Sequence, residues 1–456
     1  MLRPTRSLAC VTAAAGLVSC VGAGAGVRDT GTQISVDPLT TSLGQHQTAV
    51  EPDSAAVGNT IVSVFQIGRS TAGAAAALAW ATSKDGGKTW QSGTLPGIAT
   101  SQVEPGSFER VTDPAVAYDR VHRVWLVSML ALRNGQAGGV PTAILASRSA
   151  DGVHWEAPVV VVAAATDTGQ DKDWLACDNG RRSRRAGHCY AVWTIPGFNA
   201  DRLAVSESSD GGRTWSPERS LPVDGFAFVP LVRSNGAITL VYRRSHADLL
   251  EARTSLNGLR TLSRPVRIAA FRDIDVPSPR NDVFPAAEIG ADGREYVIWR
   301  DCRFRPQCRV DSLVISTSVA GTRWTPPRLV ATGSGLSALE HILPAVAVDP
   351  NTRGARTRLA VMFYGLSPAN CAGDACSVSA HMMFSDTAGR RWSRPQALSP
   401  TMPLDWFPLT FGARFLGDYM ATSFVPGRTA VAVYAAATSP FDGQFHEGIF
   451  AATARP

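Results

Sequence analysis

The sequence predicts an all-β protein, and three features of the chain support that fold class. A turn-forming octapeptide recurs along the sequence, pairs of short apolar runs precede its copies, and 41 glycines and 29 prolines supply frequent turns. Short β-rich runs joined by Asp, Gly and Asn turns are typical of hairpins. With 45% hydrophobic and 18% charged residues, the 456-residue chain has the composition of a globular protein with a core.

The octapeptide has two complete copies, SKDGGKTW at residues 83–90 and SSDGGRTW at residues 208–215. Both fit the pattern Ser-x-Asp-x-Gly-x-Thr-Trp. An Asp can accept hydrogen bonds from the backbone of a tight turn, Gly adopts positive φ without a steric cost, and Trp covers the turn with a large apolar ring. We therefore expect each copy to close a hairpin, which is a structural role and not a catalytic one.

Four further segments keep part of this pattern. They are SADGVHW at 149–155, SLNGLRTL at 255–262, SVAGTRW at 318–324 and SDTAGRRW at 385–392. Successive copies end about 50 to 70 residues apart, a spacing that suits one four-stranded propeller blade each. A proline follows most copies by two or three residues, and proline is tolerated chiefly at the edge strand of a sheet.

The apolar runs complete a repeating unit of strands around each octapeptide. Two examples are 114–118 followed by 124–128, and 285–289 followed by 296–299. The chain contains seven such units, and the last has no octapeptide. A strand from about Gln33 to Asp37 could complete the last unit and close the ring, which removes exposed sheet edges. These patterns predict a single β-propeller of four-stranded blades across residues 46–456, with seven blades or, as the alternative, six.

The octapeptides and the paired strands before them resemble the Asp boxes, or BNR repeats, of secreted bacterial sialidase-like β-propellers. The resemblance covers roughly residues 45–456. It implies the architecture and says little about activity, because one fold hosts many functions.

The N-terminus has the pattern of an export signal. Arg3 and Arg6 precede an apolar stretch from Leu8 to Val18, which is too short to span a bilayer and has the length of a signal-peptide core. The stretch ends in Leu-Val-Ser-Cys at 17–20, which resembles the lipobox of bacterial lipoproteins. That resemblance implies cleavage before Cys20 and acylation of its thiol.

The expected organisation is a lipoprotein signal peptide at 1–19, a lipid-anchored tether at 20–45 and the propeller. The expected location is the outer face of the cell membrane, with plain secretion as the alternative. Six cysteines remain after Cys10 and Cys20, and they form three local pairs. An even, clustered set in an exported chain indicates disulfides, and the simplest of the fifteen possible pairings is Cys177 with Cys189, Cys302 with Cys308, and Cys371 with Cys376.

No cofactor or metal is expected from these patterns. No cysteine pair has the spacing of a zinc site, although loop carboxylates could hold a structural Ca²⁺ that leaves no sequence pattern. The net charge of +6 comes mostly from scattered arginines matched by nearly as many acids, so nucleic-acid binding is not expected. The expected state is a monomer that reaches the membrane only through its lipid anchor.

The family resemblance implies a ligand in the central funnel of the propeller. The funnel would be lined by residues at the start of the innermost strands and by loops after the second strands. The first set comprises Glu51, Asp113, Lys172, Asp173, Trp174, Asp282, Phe284, His341, Asp418 and Tyr419. The second set comprises Arg243, Arg244, Arg300, Asp301, Arg303 and Tyr364.

This inventory could serve a glycosidase, in which two carboxylates flank the scissile bond. Sialidases differ, since three arginines clamp the substrate carboxylate, a Tyr activated by a Glu is the nucleophile and an Asp is the acid/base. The catalytic candidates are Asp113, Tyr364, Tyr419 and Asp418. The ligand-binding candidates are Arg243, Arg300, Arg303, Asp301, His341 and Asp173.

The chain departs from the sialidase pattern at its beginning. It has no Phe-Arg-Ile-Pro-like motif there, and three clamp arginines cannot be assigned. Binding of a glycan or another envelope component without catalysis is therefore the favoured function, and a glycosidase, sialidase or other, is the alternative. The arginine run at 181–185 indicates a solvated face or, alternatively, a contact with an acidic polymer or an anionic envelope surface.

Overall fold

The structure is a computed structural model that describes residues 31–456 apart from 41–42, 102–103, 134–142, 164–168, 275–277, 331, 334–335, 337, 370 and 372. The predicted signal peptide, Cys20 and residues 21–30 of the predicted tether lie outside the described residues. No helix among the described residues is long and apolar enough to cross a membrane.

β-Strands dominate the described chain, with four single 3₁₀ turns at Pro306–Cys308, Gly354–Arg356, Gly373–Ala375 and Leu404–Trp406. The first half contains β1 (Thr32–Gln33), β2 (Gln45–Val57), β3 (Thr60–Arg69), β4 (Ala75–Ser83), β5 (Gln91–Thr94), β6 (Arg110–Asp119), β7 (Val124–Leu132), β8 (Ala143–Ser149), β9 (Val159–Ala163), β10 (Asp171–Cys177), β11 (Cys189–Ile195), β12 (Arg202–Ser208), β13 (Arg219–Leu221), β14 (Phe226–Val232), β15 (Ile238–Arg243), β16 (Leu249–Ser255) and β17 (Val266–Ala270). The second half contains β18 (Ala286–Ile289), β19 (Glu295–Asp301), β20 (Ser312–Ser318), β21 (Arg328–Leu329), β22 (Glu340–Val348), β23 (Leu359–Ser367), β24 (Ser377–Ser385), β25 (Gln396–Ala397), β26 (Met402–Pro403), β27 (Leu409–Thr410), β28 (Ala413–Arg414), β29 (Ala421–Val425), β30 (Thr429–Phe441) and β31 (Gln444–Ala454).

Consecutive strands pair antiparallel in groups of four. The groups are β2 to β5, β6 to β9, β10 to β13, β14 to β17, β18 to β21 and β22 to β25. The last group consists of β29, β30 and β31, and β1 adds to its outer side by pairing with β31. β26 pairs with β24, and β27 with β28 form a separate ribbon. The predicted all-β fold of four-stranded antiparallel sheets is confirmed.

The first strand of each group lies on the inside of the molecule. Residues from β2, β6, β10, β14, β18, β22 and β29 line one central cavity of about 490 Å³. The second strands are buried on both faces, as in β11, because neighbouring groups pack on each side. Such strands are continuous apolar runs and do not alternate. Full burial of a large side chain such as Trp193 or Trp299 stabilises the fold by about 1.5–3 kcal/mol.

The N-terminal strand pairs with the last strand of the chain. Thr32 lies opposite Ala451 in β31, and the backbone contact continues where Ile34 donates to the carbonyl of Ile449 at 2.8 Å. The strand was expected from about Gln33 to Asp37; it is shorter and begins one residue earlier. All three predicted disulfide pairs are present, Cys177–Cys189, Cys302–Cys308 and Cys371–Cys376.

The octapeptides close the turns between third and fourth strands, as their composition predicted. In the complete copy at 208–215, Asp210 Oδ1 accepts hydrogen bonds from the backbone of Arg213 and Thr214, each at 3.0 Å, and Oδ2 accepts one from Thr214 Oγ1 at 2.6 Å. Two of the degenerate copies keep the geometry with another acceptor. Asn257 Oδ1 accepts from the Thr261 N–H at 3.0 Å, and Thr387 Oγ1 accepts from the Arg391 N–H at 2.8 Å.

Replacing Asp210 tests the contribution of these turns to stability. Burial opposes ionisation of Asp210, but the hydrogen bonds from Thr214 outweigh it and hold the pKa below its ordinary value. A carboxylate with a lowered folded pKa stabilises the fold above its unfolded pKa and loses that effect as pH falls. We expect Asp210→Ala to lower the free energy of unfolding by about 1–2 kcal/mol at pH 7, and by less below about pH 4. Urea denaturation measures both.

Asp210→Asn is the matched control, because Asn257 already performs this role in another copy. The Asn variant should retain most of the stability. Equal losses in the Ala and Asn variants would show that the hydrogen bonds of the turn do not account for the effect.

Candidate functional site

The innermost strands share a backbone irregularity near their beginning. The pairing register shifts in β2, β6, β10, β14 and β22, which marks a bulge. Each shift coincides with a non-glycine residue at positive φ: Glu51 (55°), Asp113 (50°), Lys172 (51°), Ala227 (56°) and Leu343 (48°). Such residues cost about 1–3 kcal/mol each and cluster at ligand sites. Three of these five carry a charge.

The charged bulge residues meet in an ion-pair network with residues from other parts of the chain. Lys172 Nζ contacts Asp418 Oδ2, and it lies 3.7 Å from Asp113 Oδ2. Arg280 Nη2 reaches the same Asp418 oxygen at 2.6 Å. Glu51 joins through Oε1, which accepts the Asp418 N–H at 3.1 Å. We call Glu51, Asp113, Lys172, Arg280 and Asp418 the mouth cluster.

A second layer of side chains supports the mouth cluster on the side of the first group. Gln66 donates to Glu51 Oε2 and accepts from Arg69 Nη1, so it bridges the Glu51 carboxyl group and the Arg69 guanidinium. The guanidinium groups of Arg69 and Arg280 both lie over the ring of Phe415, at 4.7 and 4.6 Å from its centroid. These contacts fix both arginines, since a planar guanidinium stacks well on an aromatic face.

The mouth cluster lies where two cavities join. One is the central cavity of about 490 Å³. The other, of about 370 Å³, is lined by all five members of the cluster. Asp113, Lys172 and Asp418 line both cavities. A ligand in the second cavity would therefore contact charged groups contributed by several strand groups at once.

Burial and charge separate the pKa values of the carboxyl groups in the cluster. Burial, and then the charge of Asp113, raise the pKa of Glu51 to about 7. Burial likewise raises the pKa of neighbouring Asp171 to about 6. Burial also opposes ionisation of Asp418, but Lys172 and Arg280 outweigh it and hold its pKa below the ordinary value. At neutral pH the site therefore combines a carboxyl group close to its titration point with a firmly ionised one.

Tyr419 and Asp173, two sequence candidates, lie just inside the central cavity. The Tyr419 hydroxyl donates to the carbonyl of Pro114 at 3.2 Å, and its ring meets Trp174 edge-on at 5.5 Å. Burial raises the Tyr419 pKa well above its ordinary value, which disfavours a phenolate. Asp173 accepts from Ser128 Oγ at 2.6 Å, and burial raises its pKa as well.

Four other candidates are buried and line neither cavity, which corrects their expected placement in the funnel. Tyr364 is fully buried and donates to the carbonyl of Ala435 at 2.6 Å. Arg300 pairs with Asp311 at 2.5 Å and Asp273 at 2.9 Å. The other two are Asp301 and His341, which are both fully buried.

The remaining arginine candidates hold local structure. Arg303 pairs with Asp301 at 2.5 Å and thereby braces the loop closed by Cys302 and Cys308. Arg243 lies 3.8 Å from Asp282, which lines the central cavity, so Arg243 lies beside that cavity without lining it. Burial lowers the pKa of His341 to about 3, so this side chain is neutral at pH 7.

Sequence patterns did not identify several residues of the site. Arg69 ends β3, the second strand of its group. Funnel residues are predicted at the ends of second strands in other units, and the same rule applied to this unit finds Arg69. Arg280 lies between β17 and β18, where no repeat pattern exists to mark it. Among the described residues, no group of three or more His, Cys, Asp or Glu side chains is arranged to hold a metal ion.

Comparisons with known proteins bear on the fold. No family profile matches this sequence, and no curated protein matches it. A protein of unknown function from Dyadobacter fermentans has a similar structure, with a TM-score of 0.50 and 15% identity over 77% of this chain and 99% of that one. An ulvan lyase, from a new family of polysaccharide lyases, has a TM-score of 0.51 and 10% identity over 92% of this chain and 94% of its own.

The NanB sialidase of Streptococcus pneumoniae is also similar, with a TM-score of 0.47 and 9% identity over 94% of this chain and 71% of that one. At these identities the likeness concerns the fold alone. Together with the strand pairing, the likeness to the ulvan lyase is consistent with a propeller-like fold.

Replacing Glu51 tests the electrostatics of the site. A carboxyl group whose folded pKa is raised from 4.5 to about 7 stabilises the fold below pH 4.5 and loses that effect as pH rises to about 7. Glu51→Gln cannot ionise. We therefore expect the free energy of unfolding of the variant, relative to that of the wild type, to rise by on the order of 2–3 kcal/mol from pH 5 to pH 8.

The exposed Glu104 supplies the control for that titration. Glu104→Gln should follow the wild type at every pH in urea denaturation. A constant difference between Glu51→Gln and the wild type across this range would contradict a raised pKa at Glu51.

Proposed function

We propose that this chain is an exported, lipid-anchored β-propeller of the Asp-box type that binds a glycan at the mouth cluster. The observation that carries the proposal is the convergence of charged side chains from separate strand groups on one cavity, held there by strained bulges. Strain and buried charge reduce stability, and proteins retain them mainly where a ligand is bound.

The chemistry of the mouth suits a sugar. Charged groups can hydrogen-bond hydroxyls, and aromatic rings can cover the apolar face of a pyranose. Phe411 is 65% exposed, lines the 370 Å³ cavity and lies 5.7 Å from the Arg280 guanidinium. Phe284 lines the central cavity, 5.3 Å from Lys172 Nζ.

The proposal includes seven blades and a closed ring. Six groups of four strands and a last group to which β1 adds a strand support that number. The pairing of β1 with β31 would serve as the closure, since it joins the beginning and the end of the propeller. The lipid anchor is proposed from the Leu-Val-Ser-Cys motif at 17–20.

Cleavage of a glycosidic bond is the second candidate, and the separated pKa values of Glu51 and Asp418 favour it. Asp113 and Asp418 each have a carboxylate oxygen within 3.7 Å of Lys172 Nζ. The two oxygens are thus at most twice 3.7 Å apart, which does not exceed the widest separation of glycosidase carboxylate pairs, about 9.5 Å.

A glycan screen tests the proposal. The chain from Val21 onward, which contains every described residue, is screened on a glycan array, and a bound glycan is then titrated by calorimetry. We expect Phe411→Ala to weaken binding about fivefold to tenfold, because it removes an exposed stacking surface. Phe441→Ala, at a similarly exposed ring outside both cavities, is the control and should bind as the wild type does.

Mass spectrometry of the bound glycan separates the two candidates. An intact glycan after prolonged incubation supports binding alone. Cleavage that Glu51→Gln abolishes supports the glycosidase. An array without binding, or equal effects of the Phe411 and Phe441 variants, would refute a glycan site at the mouth cluster.

A further inference from the structure

The turns on the side of the molecule away from the mouth cluster are strongly basic. They comprise the hairpins between first and second strands and the octapeptide turns between third and fourth strands. These segments are 58–59, 84–90, 120–123, 150–158, 178–188, 209–218, 233–237, 256–265, 290–294, 319–327, 349–358, 386–395 and 426–428. They contain 21 Lys and Arg against 9 Asp and Glu, a difference of +12, whereas the whole chain carries +6. We call this surface the basic face.

Contacts between the turns show that they lie on one face. The Gly86 N–H donates to the carbonyl of Asn59 at 2.9 Å, which joins an octapeptide turn to a hairpin. The Arg120 N–H donates to Asn179 Oδ1 at 2.8 Å, and the Gly354 N–H to Asp292 Oδ2 at 2.8 Å, which join hairpins of neighbouring groups. The mouth cluster lies at the opposite ends of the same innermost strands, because Glu51, Asp113 and Lys172 come near their beginnings.

Most of this positive charge is accessible to a partner. Of the 21 basic residues, 17 are exposed, while Arg185, Arg233, Arg294 and Arg358 are partly buried. The exposed acids of the same segments number four: Glu156, Glu218, Asp292 and Asp386. The rest of the chain, which includes the mouth cluster, carries a net charge of −6, so the positive charge is concentrated on the basic face.

The chain enters the fold from the side of the basic face. β1 runs antiparallel to β31, so the backbone before Thr32 leads toward Ala454, the end of β31. Arg455, the next residue, donates to Thr429 Oγ1 at 2.8 Å, beside the 426–428 hairpin of the basic face. The proposed anchor at Cys20 lies eleven positions before Gly31 in the sequence.

We propose that the basic face docks on an anionic lipid bilayer and holds the mouth cluster toward the surroundings. Clustered Lys and Arg are attracted to anionic lipid headgroups, and a polybasic surface adds to the hold of a lipid chain. The location next to a membrane rests on the proposed lipid anchor. The concentration of positive charge does not rest on the anchor, and it favours the orientation in which the basic face meets the anionic surface.

Vesicle sedimentation tests the docking without any lipid anchor or glycan. The chain from Val21 onward is mixed with vesicles of phosphatidylcholine, with or without phosphatidylglycerol. We expect binding only to the vesicles that contain phosphatidylglycerol, and we expect this binding to weaken as salt rises, because salt screens exposed charges. Binding to both kinds of vesicle alike, or to neither, would overturn the proposal.

Charge reversal locates the surface. Each basic residue near an anionic membrane raises the affinity for the membrane about fivefold. The triple variant Arg181→Glu, Arg182→Glu, Arg184→Glu should therefore bind the vesicles at least about a hundredfold more weakly. The matched control is Arg133→Glu, Arg272→Glu, Arg309→Glu, which makes the same charge change in exposed loops outside the basic face. Equal losses in the two triple variants would contradict docking by the basic face.

Two further measurements separate membrane docking from binding of an acidic polymer and from the proposed glycan site. Soluble polyphosphate that binds the chain, combined with no binding to phosphatidylglycerol vesicles, would assign the basic face to an acidic polymer and overturn membrane docking. Phe411→Ala should bind vesicles as the wild type does, so a failed glycan screen leaves the vesicle result intact, and the reverse also holds.

Discussion

The buried ion pair between Lys172 and Asp418 is the interaction on which the rest of the mouth depends. Lys172 stands in a left-handed bulge of β10, and Asp418 precedes β29, so the pair joins the third strand group to the last. Asp418 is 3% exposed, and burying such a charge is costly unless an opposite charge accompanies it. Arg280 and Glu51 are held in place by the same Asp418, and Asp113 by Lys172.

The network around this pair is not fully satisfied by the described protein atoms. Buried oxygens without a protein hydrogen-bond partner include one each on Asp173 and Asp418 and both carboxyl oxygens of Glu447. Buried unpaired oxygens cost stability, and burial raises the pKa of Glu447 well above its ordinary value, which favours its neutral form. These unpaired oxygens lower the stability of the fold, and they are available to a polar ligand or to water. The opposite face shows the reverse, with acids engaged in their own turns and arginines left exposed.

The parts of the fold that depend on local chemistry could be predicted from the sequence. The octapeptide turns, the strand pairs and the three disulfides each involve residues close together in the chain. Asp113, Lys172 and Asp418 could be found because the beginnings of innermost strands recur in register. Arg280 has no such pattern, since its place in the cluster follows only from long-range packing. Tyr364 and Arg300 were misplaced because second strands are covered on both sides by neighbouring groups.

A double-mutant cycle on Lys172 and Asp418 tests the central claim most directly. Unfolding of the wild type, Lys172→Met, Asp418→Asn and the double variant would be followed in urea. Each single variant should lose about 3–5 kcal/mol, because it removes one partner of a buried ion pair. The double variant should lose at least about 2 kcal/mol less than the sum of the two. Losses that add to within about 0.5 kcal/mol would show that the two residues act independently and would contradict the account.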